Sequence, residues 1–547
     1  MKKHARLTGL TMTLLLVIGC GGGGGSGLQN PEPNPEPGAP APAPGPTGGG
    51  PDTTPPSLLV TSPGSGASGV SGSSVVRLTF SEPIAPGSAS PASFNVAGVG
   101  GSLAVSGSLV TLTPAVSLAF STTYTAIVRG GAGGITDAAG NALAADVQFS
   151  FTTAAPLICG GAVRCVGAGK AYATIQAAVD AAQAGDTVVV FDGRYRGFAV
   201  TSGGTSASRL TIKAEGNAVV IDTVNGFDEG ITLSDVDHVT VEGFTVVGMP
   251  AFGIATHDAN AQNPMRGIEI RNNTVTGSGS SNIYLSQVAD SLIAGNTASG
   301  SRASHGFYLA NGGSDNTVMR GNTSFNNFVN GFHFNGDSSV GGDGLQTGLT
   351  IESNVAYANS ANGMNMDGVQ GSTFWNNLVF NNARNGLRFY RIDGGAGPAG
   401  LRIINNTVDV ALGTGWAVKL TEDGGGHVIF NNILTSAASA GGGLAVANSA
   451  FTSNYNRMTG KLSLDGDASS IGMAAWQAAG HDGASLTATA AELFINAAGG
   501  DYLLKAGSSA VNQGVSALGG VASPPSDIRG GARPQGAAPE LGAYEQF

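Results

Sequence analysis

An asparagine in an apolar setting recurs along the middle of the chain, at Asn273, Asn296, Asn322, Asn354, Asn377, Asn406, Asn432 and Asn454, with spacings of 23, 26, 32, 23, 29, 26 and 22 residues. Between successive Asn residues a Gly opens a short run of alternating apolar and polar residues. Periods of this length mark a solenoid, in which each repeat is one coil that buries its apolar side chains only against its neighbours. The shared Asn reads as scaffold: stacked in identical inward turns, each amide can bond the next coil's backbone and tolerate left-handed geometry.

Composition agrees with an all-β chain rich in turns, because Gly accounts for 88 of 547 residues and charged residues for only 11%. A net charge of −11 argues against a nucleic-acid partner, since nothing supplies the basic patch that phosphate binding needs. The chain is expected to act as a monomer.

The first 20 residues read as a targeting segment. Lys2, Lys3 and Arg6 precede an apolar run from Leu7 to Ile18, and Val17-Ile18-Gly19-Cys20 resembles the lipobox of bacterial lipoproteins. That resemblance implies lipidation at Cys20 and an extracytoplasmic protein anchored to a bacterial membrane, at the outer membrane or cell surface. Residues 21–51 are Gly, Pro, Ala and Ser with almost no bulky apolar side chain, and read as a disordered tether. Cys159 and Cys165, outside the reducing cytosol, read as a small disulfide loop, with a metal pair as the weaker alternative.

Residues 52–153 contain short alternating segments at 75–80, 94–96, 109–112, 123–128 and 147–151, separated by Gly, Pro and Ser, which indicates a β-sandwich. The motifs DTTPP (52–56), LTFSEPI (78–84), TTYT (122–125), DAAGNAL (137–143) and FSFTT (149–153) resemble the bacterial Ig-like family of S-layer and surface proteins. The resemblance implies a spacer or weak adhesion role.

Residues 158–547 form the second expected domain. At 172–200, Ile175, Ala178, Val179 and Ala182 fall at helical spacing, and Ala-Gly-Asp then leads into a buried strand at 187–191. This stretch resembles the N-terminal cap and first coil of right-handed parallel β-helix proteins of the pectate-lyase-like superfamily. The tail, with GDYLLKAGSSAVNQG at 500–514 and ELGAYE at 540–545, resembles the segment that closes many bacterial β-helices, and is expected to cap the far end.

Aligning the coils on the Gly after each Asn gives one strand per coil, including GFYLA (306–310), GFHFN (331–335), GMNMD (363–367), GLRFY (386–390) and GWAVK (415–419). Alternation points Phe307, Phe332, Met364, Leu387 and Trp416 inward. It leaves two outward columns. One runs Tyr308, His333, Asn365, Arg388, Ala417, and the other Ala310, Asn335, Asp367, Tyr390, Lys419. Extra residues follow the strand at 257–266, 336–348 and 391–400, and these loops would wall a groove.

Enzymes of the superfamily this domain resembles mostly act on polysaccharides, so an acidic glycan is the implied partner. Elimination on a uronate needs a base for the C5 proton, a group to neutralise the carboxylate and a donor for the leaving oxygen. Lys419, Arg388 or His333 could act as base, Tyr390 or Tyr308 as donor, and Arg388, Arg391, Asn335 and Asn365 could hold the substrate. Asp367 would join them, and calcium could neutralise instead through Asp337, Asp343, Asp367 and Asp393. No cofactor beyond calcium is indicated. The acidic cluster and lysine spacing of pectate lyases are missing, as is the Tyr-Gly-Asp-Pro-His signature of alginate epimerases. The expected function is a polysaccharide lyase, and the alternative is a non-catalytic surface protein that binds glycan or extends the stalk.

Overall fold

The computed structural model describes residues 52–546 apart from 73, 156, 258–262, 412–414 and 449. The targeting segment with Cys20, the tether at 21–51 and part of the loop at 257–266 lie outside the described residues.

The first module is a sandwich of a four-stranded and a three-stranded antiparallel sheet. In Val76–Phe80 the alternation is direct, with Val76, Leu78 and Phe80 buried and Arg77 exposed. Phe94, Val110, Val128, Phe149 and Phe151 complete that core. Strands at Leu58–Ser62 and Gly101–Ser106 add to those read from the sequence.

The second module opens with Cys159 and Cys165, which are disulfide-bonded. A helix follows at Ile175–Asp180, started by the Thr174 hydroxyl accepting the Ala177 N–H at 3.2 Å. Its Ile175, Ala178 and Val179 are buried in the solenoid core, where they cover apolar side chains that the first coil would otherwise expose.

Three parallel sheets then build the solenoid, every strand pairing with its counterpart one coil on. One sheet has 11 strands and carries the sequence-aligned residues. Its members include Ile231–Ser234, Ile254–His257, Ile283–Ser286, Phe307–Ala310, Phe332–Asn335, Met364–Asp367, Leu387–Tyr390 and Val418–Leu420. Phe307, Leu309, Phe332, Phe334, Met364, Met366, Leu387 and Phe389 all point into the core. Phe307 and Phe332 stack with centroids 4.7 Å apart, as identical positions on adjacent coils can.

At the last of these strands the register departs from the sequence alignment. Leu387 pairs with Val418 and Arg388 with Lys419, so Lys419 belongs to the column of His333 and Arg388, two residues from its expected place. The incoming coil is longer than its neighbours, and counting from the Gly cannot see where the surplus is absorbed. A shift of two conserves the face, so Val418 still points inward.

The asparagine ladder is continuous and fully buried. The N–H and Nδ2 of Asn273 both donate to Asn296 Oδ1, and the pattern repeats through Asn322, Asn354, Asn377, Asn406 and Asn432 at 2.9–3.1 Å. Its last member is Asn456, not Asn454. The left-handed residue is the one before each ladder position, as at Asn272, Ser353, Asn376, Asn405 and Asn431. Asp482 and Ser485 end the ladder by accepting from Asn456 Nδ2 and N–H.

The tail does not cap the far end. A short helix at Met473–Ala478 places Trp476 in the solenoid core, with its indole N–H on Asp482. The chain after it packs along the flank, where Tyr502, Leu504 and Leu541 cover Leu378 and Ile433, and Asn405 and Asn431 bond the carbonyls of Glu540 and Val515. Those outward apolar residues needed a cover, and the tail supplies it.

Candidate functional site

Tyr284, Tyr308, His333, Arg388 and Lys419 form one half-buried column down the middle of the 11-stranded sheet, with Asn365 buried among them. Their spacing is that of parallel coils, about 4.8 Å per step.

Asn365 is the hub. Its Nδ2 donates to Tyr390 Oη at 2.7 Å and lies 3.1 Å from His333 Nδ1, while its Oδ1 accepts from Asn362 Nδ2 at 3.1 Å. His333 Nδ1 also lies 3.1 Å from the Asn365 carbonyl oxygen. The tautomer that donates Nδ1–H to this oxygen leaves Nε2 as an acceptor. The Arg388 guanidinium sits over the Tyr390 ring, 4.2 Å from its centroid.

Burial sets the protonation of these groups. His333 has its pKa lowered to about 4, because desolvation disfavours the imidazolium and Arg388 opposes it, against the raising effect of its hydrogen bond to the Asn365 carbonyl. It is therefore neutral near pH 7. Desolvation pushes the Tyr308 and Tyr390 phenols well above their usual range, so both keep their protons.

His305, which sequence reasoning did not single out, belongs to the site. A second ladder runs along the edge of the sheet, in which Asn362 N–H and Nδ2 donate to Asn330 Oδ1, and Asn385 N–H and Nδ2 to Asn362 Oδ1. His305 heads this ladder with Nδ1 in place of the amide oxygen, facing the N–H and Nδ2 of Asn330 at 3.3 Å. That fixes the proton on Nε2. The His305 ring lies 4.4 Å from that of His333 and meets Tyr308 edge-on. Burial and the neighbouring His333 lower its pKa well below the ordinary value. The sequence signal was the Asn-Gly pair repeated at 330–331, 362–363 and 385–386, with His305-Gly306 in the same place.

The second expected column is not a free surface. Asn335 is buried and hydrogen-bonded to Tyr308, and Tyr390 is 6% exposed. Asp367 is fully buried and accepts the N–H groups of Ile392, Asp393 and Gly394, which makes it the anchor of the loop after Tyr390 and not a substrate ligand. Arg391 is exposed on that loop and gives its Nε–H to the Gly394 carbonyl. Lys419 is ion-paired with Asp467, which removes it as a free base.

The expected calcium ligands do not converge. Asp337 accepts from the Ser339 N–H and hydroxyl, Asp343 from the Leu345 N–H, and Asp393 is exposed. Asp337 and Asp343 each serve their own turn. The residues of the groove do not fit a hard cation.

Residues 52–153 match the family described as bacterial Ig-like domain, and residues 229–408 match the right-handed β-helix region. The chain is an Ig-like module followed by a right-handed β-helix. Pectate lyase Pel9A is a structural neighbour at 15% identity, covering 68% of this chain and 90% of its own, with a TM-score of 0.49. The A-module of mannuronan C-5 epimerase AlgE6 from Azotobacter vinelandii is 16% identical over 57% of this chain and 93% of its own, at a TM-score of 0.38. An alginate lyase from Paenibacillus sp. is 14% identical, covering 50% and 93%, at 0.36. No curated protein matches the sequence.

Proposed function

We propose that the β-helix is a polysaccharide lyase acting on a uronate-containing glycan, held outside the cytoplasm by a lipid at Cys20. The observation that carries this reading is Asn365, whose backbone carbonyl takes the His333 Nδ1–H while its side-chain amide donates to Tyr390 Oη, with the Arg388 guanidinium over the Tyr390 ring. These three neighbours hold the functions that β-elimination requires.

Arg388 neutralises the substrate carboxylate, which lowers the cost of forming the enolate after C5 loses its proton. His333, neutral and with Nε2 open as an acceptor, takes that proton. Tyr390 receives a hydrogen bond from Asn365 and so has its own proton free for the departing glycosidic oxygen. The C4–O bond breaks as the C4=C5 double bond forms, and the proton balance closes on the two side chains. Tyr308, held by Asn335, lies on the other side of His333 and is a second candidate donor.

The pectate lyase, alginate lyase and epimerase among the structural neighbours are named for uronate polymers, which makes this substrate class the first to test. The test is a screen of the protein on pectate, alginate and glycosaminoglycans, following ultraviolet absorbance of the unsaturated product. Product that disappears in Arg388→Ala and His333→Ala, with unchanged circular dichroism, supports the lyase. Binding without product from any polymer favours the surface glycan-binding alternative. Release of a Cys20→Ala variant from the membrane fraction tests the anchor.

A further inference from the structure

The edge ladder asks only one thing of its first member, an acceptor for the N–H and Nδ2 of Asn330. Asparagine meets that demand at three later coils, where Asn330 Oδ1 accepts from Asn362, Asn362 Oδ1 from Asn385, and Asn385 Oδ1 from the Trp416 N–H. At the head stands the imidazole of His305 instead. It brings a second nitrogen that the ladder does not use.

That nitrogen is a fixed donor. With Nδ1 held as an acceptor by two donors, the neutral ring must carry its proton on Nε2. Burial and the neighbouring His333 both disfavour the imidazolium, so the ring is neutral near pH 7. The Nε2–H has no acceptor among the described residues, and the half-buried ring leaves it open to solvent. It is not spent on His333 either. The two rings lie 4.4 Å apart with planes 51° from each other, and no hydrogen bond joins them. His305 thus presents an N–H beside the bare Nε2 of His333, and two rings this close address one sugar unit.

We infer that His305 is a catalytic residue of the lyase, whose Nε2–H donates to the carboxylate of the uronate that loses its C5 proton to His333. This rests on the reading of the groove as a uronate lyase and adds a residue to it. The carboxylate is attached to C5 itself and carries the strongest acceptors of the sugar unit, so a donor beside the base meets it first. His305 lies one coil before His333 and Arg388 two coils beyond it, and the carboxylate is approached from both sides. As the C5–H electron pair moves toward the carboxylate, charge on its oxygens grows and the hydrogen bond strengthens. No proton leaves His305.

Asparagine and glutamine divide the two nitrogens of His305 between them. His305→Asn keeps the ladder acceptor and removes the groove donor, whereas His305→Gln places an amide N–H at about the reach of Nε2 and leaves the Asn330 N–H without its acceptor. The experiment measures steady-state formation of unsaturated product by the full-length protein, on whichever of pectate, alginate and glycosaminoglycans it cleaves fastest, together with thermal melts. His305→Asn is expected to melt with the wild type and to lose about 10² in kcat, with KM within about threefold. His305→Gln is expected to melt lower and yet, assayed below its midpoint, to keep kcat within about tenfold of the wild type. A purely structural His305 gives the reverse order. Near wild-type kcat in His305→Asn, or a folded His305→Gln no faster than His305→Asn, overturns the assignment and leaves the lyase reading standing. No product from the wild-type protein on any of these polymers overturns both.

Discussion

Lys419 pairs through its backbone with Arg388, so two cations occupy adjacent coils of one column, but they are not equivalent. Lys419 is committed to Asp467, whereas Arg388 has no ion pair among the described residues and lies over Tyr390. The Arg388→Ala variant is therefore expected to lower kcat/KM on a uronate polymer by about 10²–10³, the usual loss when a group aimed at developing negative charge is removed. Lys419→Ala should cost less than about fivefold. Initial rates of unsaturated product formation check both, and comparable losses would contradict the assignment.

The low pKa of His333 predicts an unusual acid limb. A base with a pKa of about 4 stays competent well below neutrality, so kcat/KM should be flat from pH 7 down to about 5 and fall through about 4. The sign for stability follows from linkage. Because the folded-state pKa lies below the unfolded value near 6.5, stability is full above 6.5 and is lost as pH falls from there to about 4. A pH–rate profile with its limb near 6.5 would rule His333 out as the base.

Asn365→Ala should separate positioning from binding. The variant takes away the hydrogen bonds that set the Tyr390 hydroxyl and the Asn362 amide. The expected result is a fall in kcat of about 10², with KM within about threefold, since misplacement of reacting groups by ~1 Å is enough for such a loss. Steady-state kinetics distinguish this from a fall in affinity alone.

Asp367→Ala tests the loop anchor. Three backbone N–H groups lose their acceptor, at about 1–3 kcal/mol for each donor left buried. Amide exchange at residues 392–394 should accelerate strongly while that of the ladder coils stays slow. Unchanged protection there would show that the loop is held by something else.

Removing a rung of the main ladder should destabilise the coil stack itself. Asn377→Leu strands the Asn354 N–H and one of the two hydrogens on its Nδ2, the other staying on the Met319 carbonyl, again at about 1–3 kcal/mol per donor. The loss should appear as a lower thermal midpoint without altered substrate preference.

The solenoid was legible because its signal is local and repeated: every coil carries the same Asn and the same inward alternation, and each repetition strengthens the reading. The first column was legible for the same reason. What escaped depends on where loops return. Asp367 and Tyr390 follow the outward alternation faithfully, yet the segment 391–394 folds back over Asp367, and no pattern within the strand reports that. Lys419 was misplaced because a surplus of residues before it shifts the register by two, which leaves the hydrophobic pattern intact. His305 could have been found, since it stands where other coils place Asn before Gly. The tail was assigned to the wrong surface because its apolar residues reveal that they are covered, not what covers them.

The amide ladders pass beneath every coil from Asn273 to Asn456 and along the edge from His305 to Asn385. Neighbouring coils are thereby denied independent sliding, and the groove behaves as a gauge of fixed pitch. Conformational adjustment on binding then falls to the ligand: a stiff polymer whose repeat matches the coil rise surrenders little freedom, and a flexible or mismatched one is rejected by its own entropy.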